Sequence, residues 1–242
     1  MTRRLWLRAI AVAVISGLAL GWPLSGETAG TPLLPNLKAQ PASQLSIQTI
    51  GTSRFLRFST TTWNAGDGPV ELNGGEIDQI AGKQRVQQRV YNSDGTFADY
   101  DAGTFQWHIA HAHIHFDDYA LYTLQALNAP GGSTRTASKT TFCIIDTTKI
   151  SRGATAPKHP VYTTCGQRQG MSVGWGDTYT SNLAGQEMNI DGLPDGDYRL
   201  TIEADWKNHI IESNDGDNLS SVDIRIAGNA VTVLGGRGHK SQ

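Results

Sequence analysis

Apolar and polar side chains alternate with a period of two along Tyr198, Leu200, Ile202 and Ala204, with Arg199, Thr201, Glu203 and Asp205 between and after them. Val222, Ile224 and Ile226 alternate with Asp223 and Arg225 in the same way, and Leu56 and Phe58 with Arg57 and Ser59. A strand turns successive side chains to opposite faces, so each run describes a strand with one face in a core and the other in water. Asp-Gly pairs at Asp67-Gly68, Asp94-Gly95, Asp191-Gly192, Asp195-Gly196 and Asp215-Gly216 supply turns, because both residues tolerate left-handed backbone. No helical period of any length is present, and there is no βαβ rhythm. The chain is therefore expected to be all-β, a β-sandwich.

With 242 residues, 38% of them hydrophobic and 17% charged, the composition is that of an ordinary globular protein, and one core is the simplest account. The first thirty residues differ. Arg3, Arg4 and Arg8 precede or open an apolar run from Ala9 to Leu20, broken by Gly21-Trp22-Pro23. That layout is expected for a signal peptide over residues 1–30, with Ala29 the candidate cleavage position and an uncleaved membrane anchor as the alternative. Arg3-Arg4 also resembles a twin-arginine signal. Export makes the protein secreted or extracytoplasmic. Loss of three arginines and one glutamate takes the formal charge from −2 to −4, so nothing indicates a basic nucleic-acid footprint. Residues 31–46, with Pro32, Pro35 and Pro41, read as a linker, and 235–242 as a flexible tail. Cys143 and Cys165 are an even pair in an exported chain and are expected to form one disulfide, worth about 3 kcal/mol in the chain-entropy account. Two buried thiols, or thiolate metal ligands, are the alternatives.

Four of the seven histidines fall within residues 108–115. His111, His113 and His115 recur at the strand period, which would put the three imidazoles on one face and Ala110, Ala112 and Ile114 on the other. On a straight strand His111 and His115 would start roughly 13 Å apart, too far to share one ion, so the strand must bend or end here. Three alternating histidines point to a metal site carried by the sandwich's irregular loops. Imidazole suits copper, zinc, iron and nickel, and spacing alone leaves the metal open. There is no His-Glu-x-x-His helix, and the run is not that of a two-zinc hydrolase.

Trp107-His108-x-x-His111-x-His113-x-His115, followed by acidic residues and Tyr119-x-x-Tyr122, resembles the copper-binding segment of the lysyl oxidases. The likeness continues in order. Residues 138–147, Ser-Lys-Thr-Thr-Phe-Cys-Ile-Ile-Asp-Thr, resemble the segment around that family's cofactor lysine, and Gly176-Asp177-Thr178-Tyr179 the segment around its cofactor tyrosine. Gly196-Asp197-Tyr198-Arg199-Leu200, Glu212-Ser213 and Asn218 extend it, so that it covers most of residues 54–226.

The resemblance implies a catalytic domain over residues 47–234. His111, His113 and His115 would bind copper, with His108 a neighbouring non-ligand, and Lys139 and Tyr179 would be joined as a lysine tyrosylquinone. It implies an amine oxidase that turns peptidyl lysine or small primary amines into aldehydes with O2, releasing peroxide and ammonia. No nucleic-acid partner is expected, and a membrane one only if the leader stays uncleaved. The chain also departs from the animal enzymes: Leu121 stands where a histidine proposed as their base would fall, Ala110 where their copper motif has a cysteine, and fewer cysteines are present. Asp117, Asp118 and Asp177 are the carboxylates available instead. A non-catalytic extracellular copper-binding or adhesion-type sandwich is the alternative, with a zinc hydrolase behind it.

Overall fold

The computed structural model describes residues 30–78, 83–108, 112–128, 134–137, 139–153 and 155–237. Of the expectations above, the leader before Gly30, His111 and the end of the tail (238–242) lie outside the described residues. Among the described residues the chain forms β1 (Pro32–Leu33), β2 (Leu37–Ala39), β3 (Ser43–Ile50), β4 (Ser53–Asn64), β5 (Val70–Asp78), β6 (Lys83–Asn92), β7 (Phe97–His108), β8 (His113–Phe116), β9 (Ala120–Ala126), β10 (Thr134–Thr136), β11 (Thr148–Lys149), β12 (Arg168–Met171), β13 (Trp175–Tyr179), β14 (Glu187–Asn189), β15 (Gly196–Ala204), β16 (Leu219–Ala227) and β17 (Ala230–Arg237). A single 3-10 turn, Asp215–Asp217, is the helical element among them. The fold is all-β, as the alternation requires.

The strands build three sheets. One runs β12-β5-β6-β7-β8 with β1 added to β6, a second runs β10-β9-β15-β16-β17, and a third runs β11-β13-β4-β14 with β2 and β3 also paired to β4. All the named strand pairings are antiparallel. Antiparallel neighbours need only short turns. At the β6–β7 hairpin Gly95 takes φ +84° and the Asp94 carboxylate accepts the Thr96 N–H at 2.9 Å, as the Asp-Gly signal implies.

Tyr198, Leu200, Ile202 and Ala204 of β15 are all buried, and so are Val222, Ile224 and Ile226 of β16 and Leu56 and Phe58 of β4. These belong to one apolar core to which all three sheets contribute. The β4 and β9 sheets meet face to face, with Phe58 edge-on to Tyr122 at 5.3 Å between centroids. Core-facing polar groups of β4 are matched across the gap: Thr60 bonds the Tyr122 hydroxyl at 2.9 Å and Thr62 the Tyr119 hydroxyl at 2.6 Å.

Residues 31–46 are not a linker. They supply β1, β2 and the start of β3, and Leu37, Ala39 and Ala42 lie in the core. Proline does not prevent this, because Pro32 opens its strand and Pro35 and Pro41 fall between strands. The Leu37 N–H is accepted by Glu212 at 2.6 Å and the Asn36 N–H by Asn64 at 3.0 Å, so side chains elsewhere in the chain anchor the segment. The expected tail from 235 likewise begins inside β17, where Arg237 pairs with Ser221.

Candidate functional site

The histidine run is folded back on itself. β7 ends at His108, Ala112 takes φ +52°, and β8 opens at His113, which pairs with His108 across the antiparallel ladder. The strand thus ends where one ion could not have been reached along a straight one. Ala112 is exposed at this turn, a correction to its expected place on a packed face, whereas Ile114 does pack against the core.

His113 and His115 share a face of β8, and their Nε2 atoms lie 2.9 Å apart. That is the separation of a hydrogen bond between the two rings, and it is also close to the separation of about 2.9 Å expected of two nitrogens each about 2.0–2.1 Å from one ion and at right angles. The Nδ1 of His115 faces the Thr141 hydroxyl at 3.3 Å, the kind of outer contact that fixes which ring nitrogen is offered to an ion. The His108 ring stacks on His115, centroids 4.6 Å apart. No cluster of three or more metal-ligating side chains forms among the described residues. His111, the third expected ligand, lies outside them.

The segment 139–147 carries the lysine to this place. Phe116 and Phe142 exchange backbone hydrogen bonds at 2.7 and 3.0 Å, which docks the segment against the end of β8. The expected disulfide is present, with Cα atoms of Cys143 and Cys165 5.3 Å apart, and Cys165 is itself bonded through its carbonyl to the Ile114 N–H. Tyr179 comes from β13, held to β4 with Tyr179 opposite Thr60 and Asp177 opposite Thr62. Its hydroxyl donates to the Cys143 carbonyl at 2.7 Å, and its ring stands edge-on to Phe142 at 4.9 Å.

Lys139 and Tyr179, forty positions apart in sequence, therefore converge: the lysine Nζ lies 4.6 Å from the Tyr179 ring centroid and 4.9 Å from that of Phe142. Nζ also donates to the Ala184 carbonyl at 3.3 Å. Burial lowers the Lys139 pKa to about 8, against the opposing pull of Asp177 and Glu187. At pH 7 about a tenth of the lysine is then neutral, several hundred times the fraction of an ordinary lysine. Burial also raises the Tyr179 phenol well above its usual range.

A cavity of about 410 Å³ opens between these groups, lined by His113, His115, Lys139, Asp177, Tyr179, Thr147, Thr178, Leu183 and the disulfide. Its walls are mostly apolar apart from the named polar groups. Asp177, 3% exposed, is the carboxylate on this wall among the described residues. Burial pushes it up to about 8, against hydrogen bonds from the Ile145 N–H and the Thr147 hydroxyl, each 3.3 Å. The other two acids available in the sequence serve elsewhere: Asp117 pairs with Lys83 and accepts from Thr104, each at 2.7 Å, and Asp118 pairs with Lys207 at 3.1 Å. Leu121 lies in β9 opposite Glu203 and does not line the cavity. Thr141, the Cys143 carbonyl and the Ala184-Gly185 loop were not legible as site components, since each acts through tertiary proximity.

The family model described as Lysyl oxidase matches residues 85–235. Lysyl oxidase homolog 1 from Homo sapiens is 29% identical over 158 residues, covering 62% of this chain and 25% of that protein. Protein-lysine 6-oxidase is 28% identical over 135 residues in Homo sapiens and 26% identical over 135 residues in Sus scrofa, covering 54% of this chain and 30% and 51% of those proteins. The chain thus spans a quarter to a half of the length of these relatives.

Proposed function

Because the chain belongs to the lysyl oxidase family, we propose that it is an exported, copper-dependent amine oxidase acting on peptidyl lysine or small primary amines. His113 and His115, with His111, would hold the copper, and Lys139 and Tyr179 would be joined as the lysine tyrosylquinone. The observation that carries this reading is the 4.6 Å approach of the Lys139 amine to the Tyr179 ring within a cavity shared with the two histidines.

Once formed, such a quinone supplies an electrophilic carbonyl that takes two electrons from a primary amine and passes them to O2. The remaining work belongs to side chains in place. Burial keeps a fraction of Lys139 neutral, and only a neutral amine has the lone pair needed to attack a ring carbon. Phe142 packs edge-on against the Tyr179 ring and the Cys143 carbonyl holds its hydroxyl. Thr141 faces His115 on the side away from His113. The mostly apolar cavity suits the methylene chain of an alkyl amine.

The test is copper loading of the full chain in air. The expected result is a visible quinone absorbance, a covalently joined pair of peptides containing Lys139 and Tyr179 that survives denaturation, and peroxide release on adding a primary amine. Lys139→Ala and Tyr179→Phe should each abolish all three while retaining copper. A chain that binds copper but never acquires the crosslink would be a copper-binding module and not an oxidase.

A further inference from the structure

We propose that Asp177 is the catalytic base of the amine oxidation, the group that takes the proton from the substrate carbon bearing the nitrogen. The proposal rests on the amine-oxidase reading above and assigns a role that reading leaves without a residue.

The placement follows from β13. Asp177 and Tyr179 are two residues apart on one strand, so their side chains leave the same face with starting points about 7 Å apart. Both line the cavity, and a substrate carbon attached through nitrogen to the Tyr179 ring would lie in the space beside that ring. Among the described residues lining the cavity, no other side chain is a carboxylate, and no cation forms an ion pair with Asp177. Its oxygens are held by two long hydrogen bonds, from Ile145 and Thr147. They are oriented without being fully engaged. Asp146, by contrast, accepts from Val161, Tyr162 and twice from Ser172 and is fully engaged in structure.

Lys139, Asp146 and the phenols of Tyr119, Tyr122 and Tyr179 act electrostatically with Asp177, and His113 and His115 line the same cavity. A carboxyl raised to about 8 is a stronger base than one at 3.8, and is better matched to a weakly acidic C–H. In the step assigned here the C–H bond breaks, its proton passes to the Asp177 carboxylate, and its electron pair enters the quinone, which is reduced by two electrons. Water then releases the aldehyde, and O2 takes the two electrons and two protons as peroxide. The nitrogen leaves as ammonia, and Asp177 returns to the carboxylate.

The experiment uses the copper-loaded full chain, wild type and Asp177→Asn, with benzylamine and its α,α-dideuterated form. An asparagine can accept from the Ile145 N–H through its one oxygen and donate its amide N–H to the Thr147 hydroxyl, which still donates to the Gly176 carbonyl, so the variant should fold and form the crosslinked peptide to the wild-type extent, read by mass. Mixed anaerobically with benzylamine, its quinone absorbance should bleach at least about a hundredfold more slowly, with a larger deuterium isotope effect than wild type. Asp177→Glu, which keeps a carboxylate, should bleach at least tenfold faster than the asparagine variant. Bleaching at the wild-type rate in Asp177→Asn, equal rates for the two variants, or an Asp177→Asn chain that never acquires the crosslink would each overturn the assignment. Absence of the crosslink in wild type would instead overturn the oxidase reading itself.

Discussion

Gly185 sits beside the lysine on which the proposed chemistry depends, at φ +81°, and a Cβ built there would lie 2.5 Å from the Lys139 Cδ. Alanine at this position therefore meets two obstacles at once, left-handed backbone and the lysine stem. Gly185→Ala is expected to cost about 1–2 kcal/mol in urea unfolding and to reduce the yield of the Lys139–Tyr179 crosslink several-fold, read by peptide mass. Full crosslink yield would show that the stem yields freely and that Gly185 does not position it. Thr141 invites a parallel test, since its hydroxyl faces the His115 Nδ1. Thr141→Val should weaken copper binding about 10- to 100-fold in a chelator competition, whereas unchanged affinity would remove Thr141 from that role. At this scale the sequence showed the groups to which the proposed chemistry is assigned: His113, His115, Lys139 and Tyr179 are chemically distinctive and fall in a recognisable order. It did not show Gly185 or Thr141, whose contributions arise from contacts across 46 and 26 positions.

Among the elements, β4 joins the core to the site, because its buried face carries Leu56 and Phe58 and then Thr60, Thr62 and Asn64, while its edge holds β13. Removing one hydroxyl of a buried pair leaves the other without its partner and costs more than removing both. Tyr119→Phe should therefore destabilise by about 1–2 kcal/mol, and Thr62→Val added to it should recover part of that loss. Additive losses from the two changes would show that the 2.6 Å contact contributes nothing specific. Strands with a clean period-two pattern, β15 and β16 above all, were readable because one face is buried throughout. The segment 31–46 was not. Its prolines and short apolar runs give no period, and its strands exist because β4 and β6 offer edges and Glu212 and Asn64 offer acceptors to its backbone.

On the scale of the whole molecule, three sheets converge on one core, and the sequence indicated a sandwich without indicating the third sheet. Alternation reports which face of a strand is buried, not which sheet buries it. The same shared interior imposes a pH dependence. Burial raises Asp205 to about 6, Glu212 to about 7 and Asp177 to about 8. For an acid whose folded pKa lies above its unfolded value, the unfolded chain releases its proton first as pH rises. The stabilisation is thus complete below about pH 4 and is lost progressively as pH rises through the folded values. These three groups should make the fold less stable as pH climbs from about 4 to 8, a window above the one in which carboxylates held low by arginine, such as Asp99 beside Arg89, add their stabilisation, since that gain is nearly complete by about pH 4. Glu212 isolates the effect, since it accepts the Leu37 N–H and the Asn218 amide and ties the 3-10 turn region to β2. Its rise from 4.5 to about 7 corresponds to roughly 3 kcal/mol between acid and neutral pH. Glu212→Gln keeps an acceptor for Leu37 but carries no charge, so the difference in unfolding free energy between variant and wild type should move in the variant's favour by about that amount from pH 4 to pH 8. A difference that stays flat across that range would mean that Glu212 titrates in the folded chain as it does in the unfolded one, and that its burial is compensated by the two hydrogen bonds it accepts.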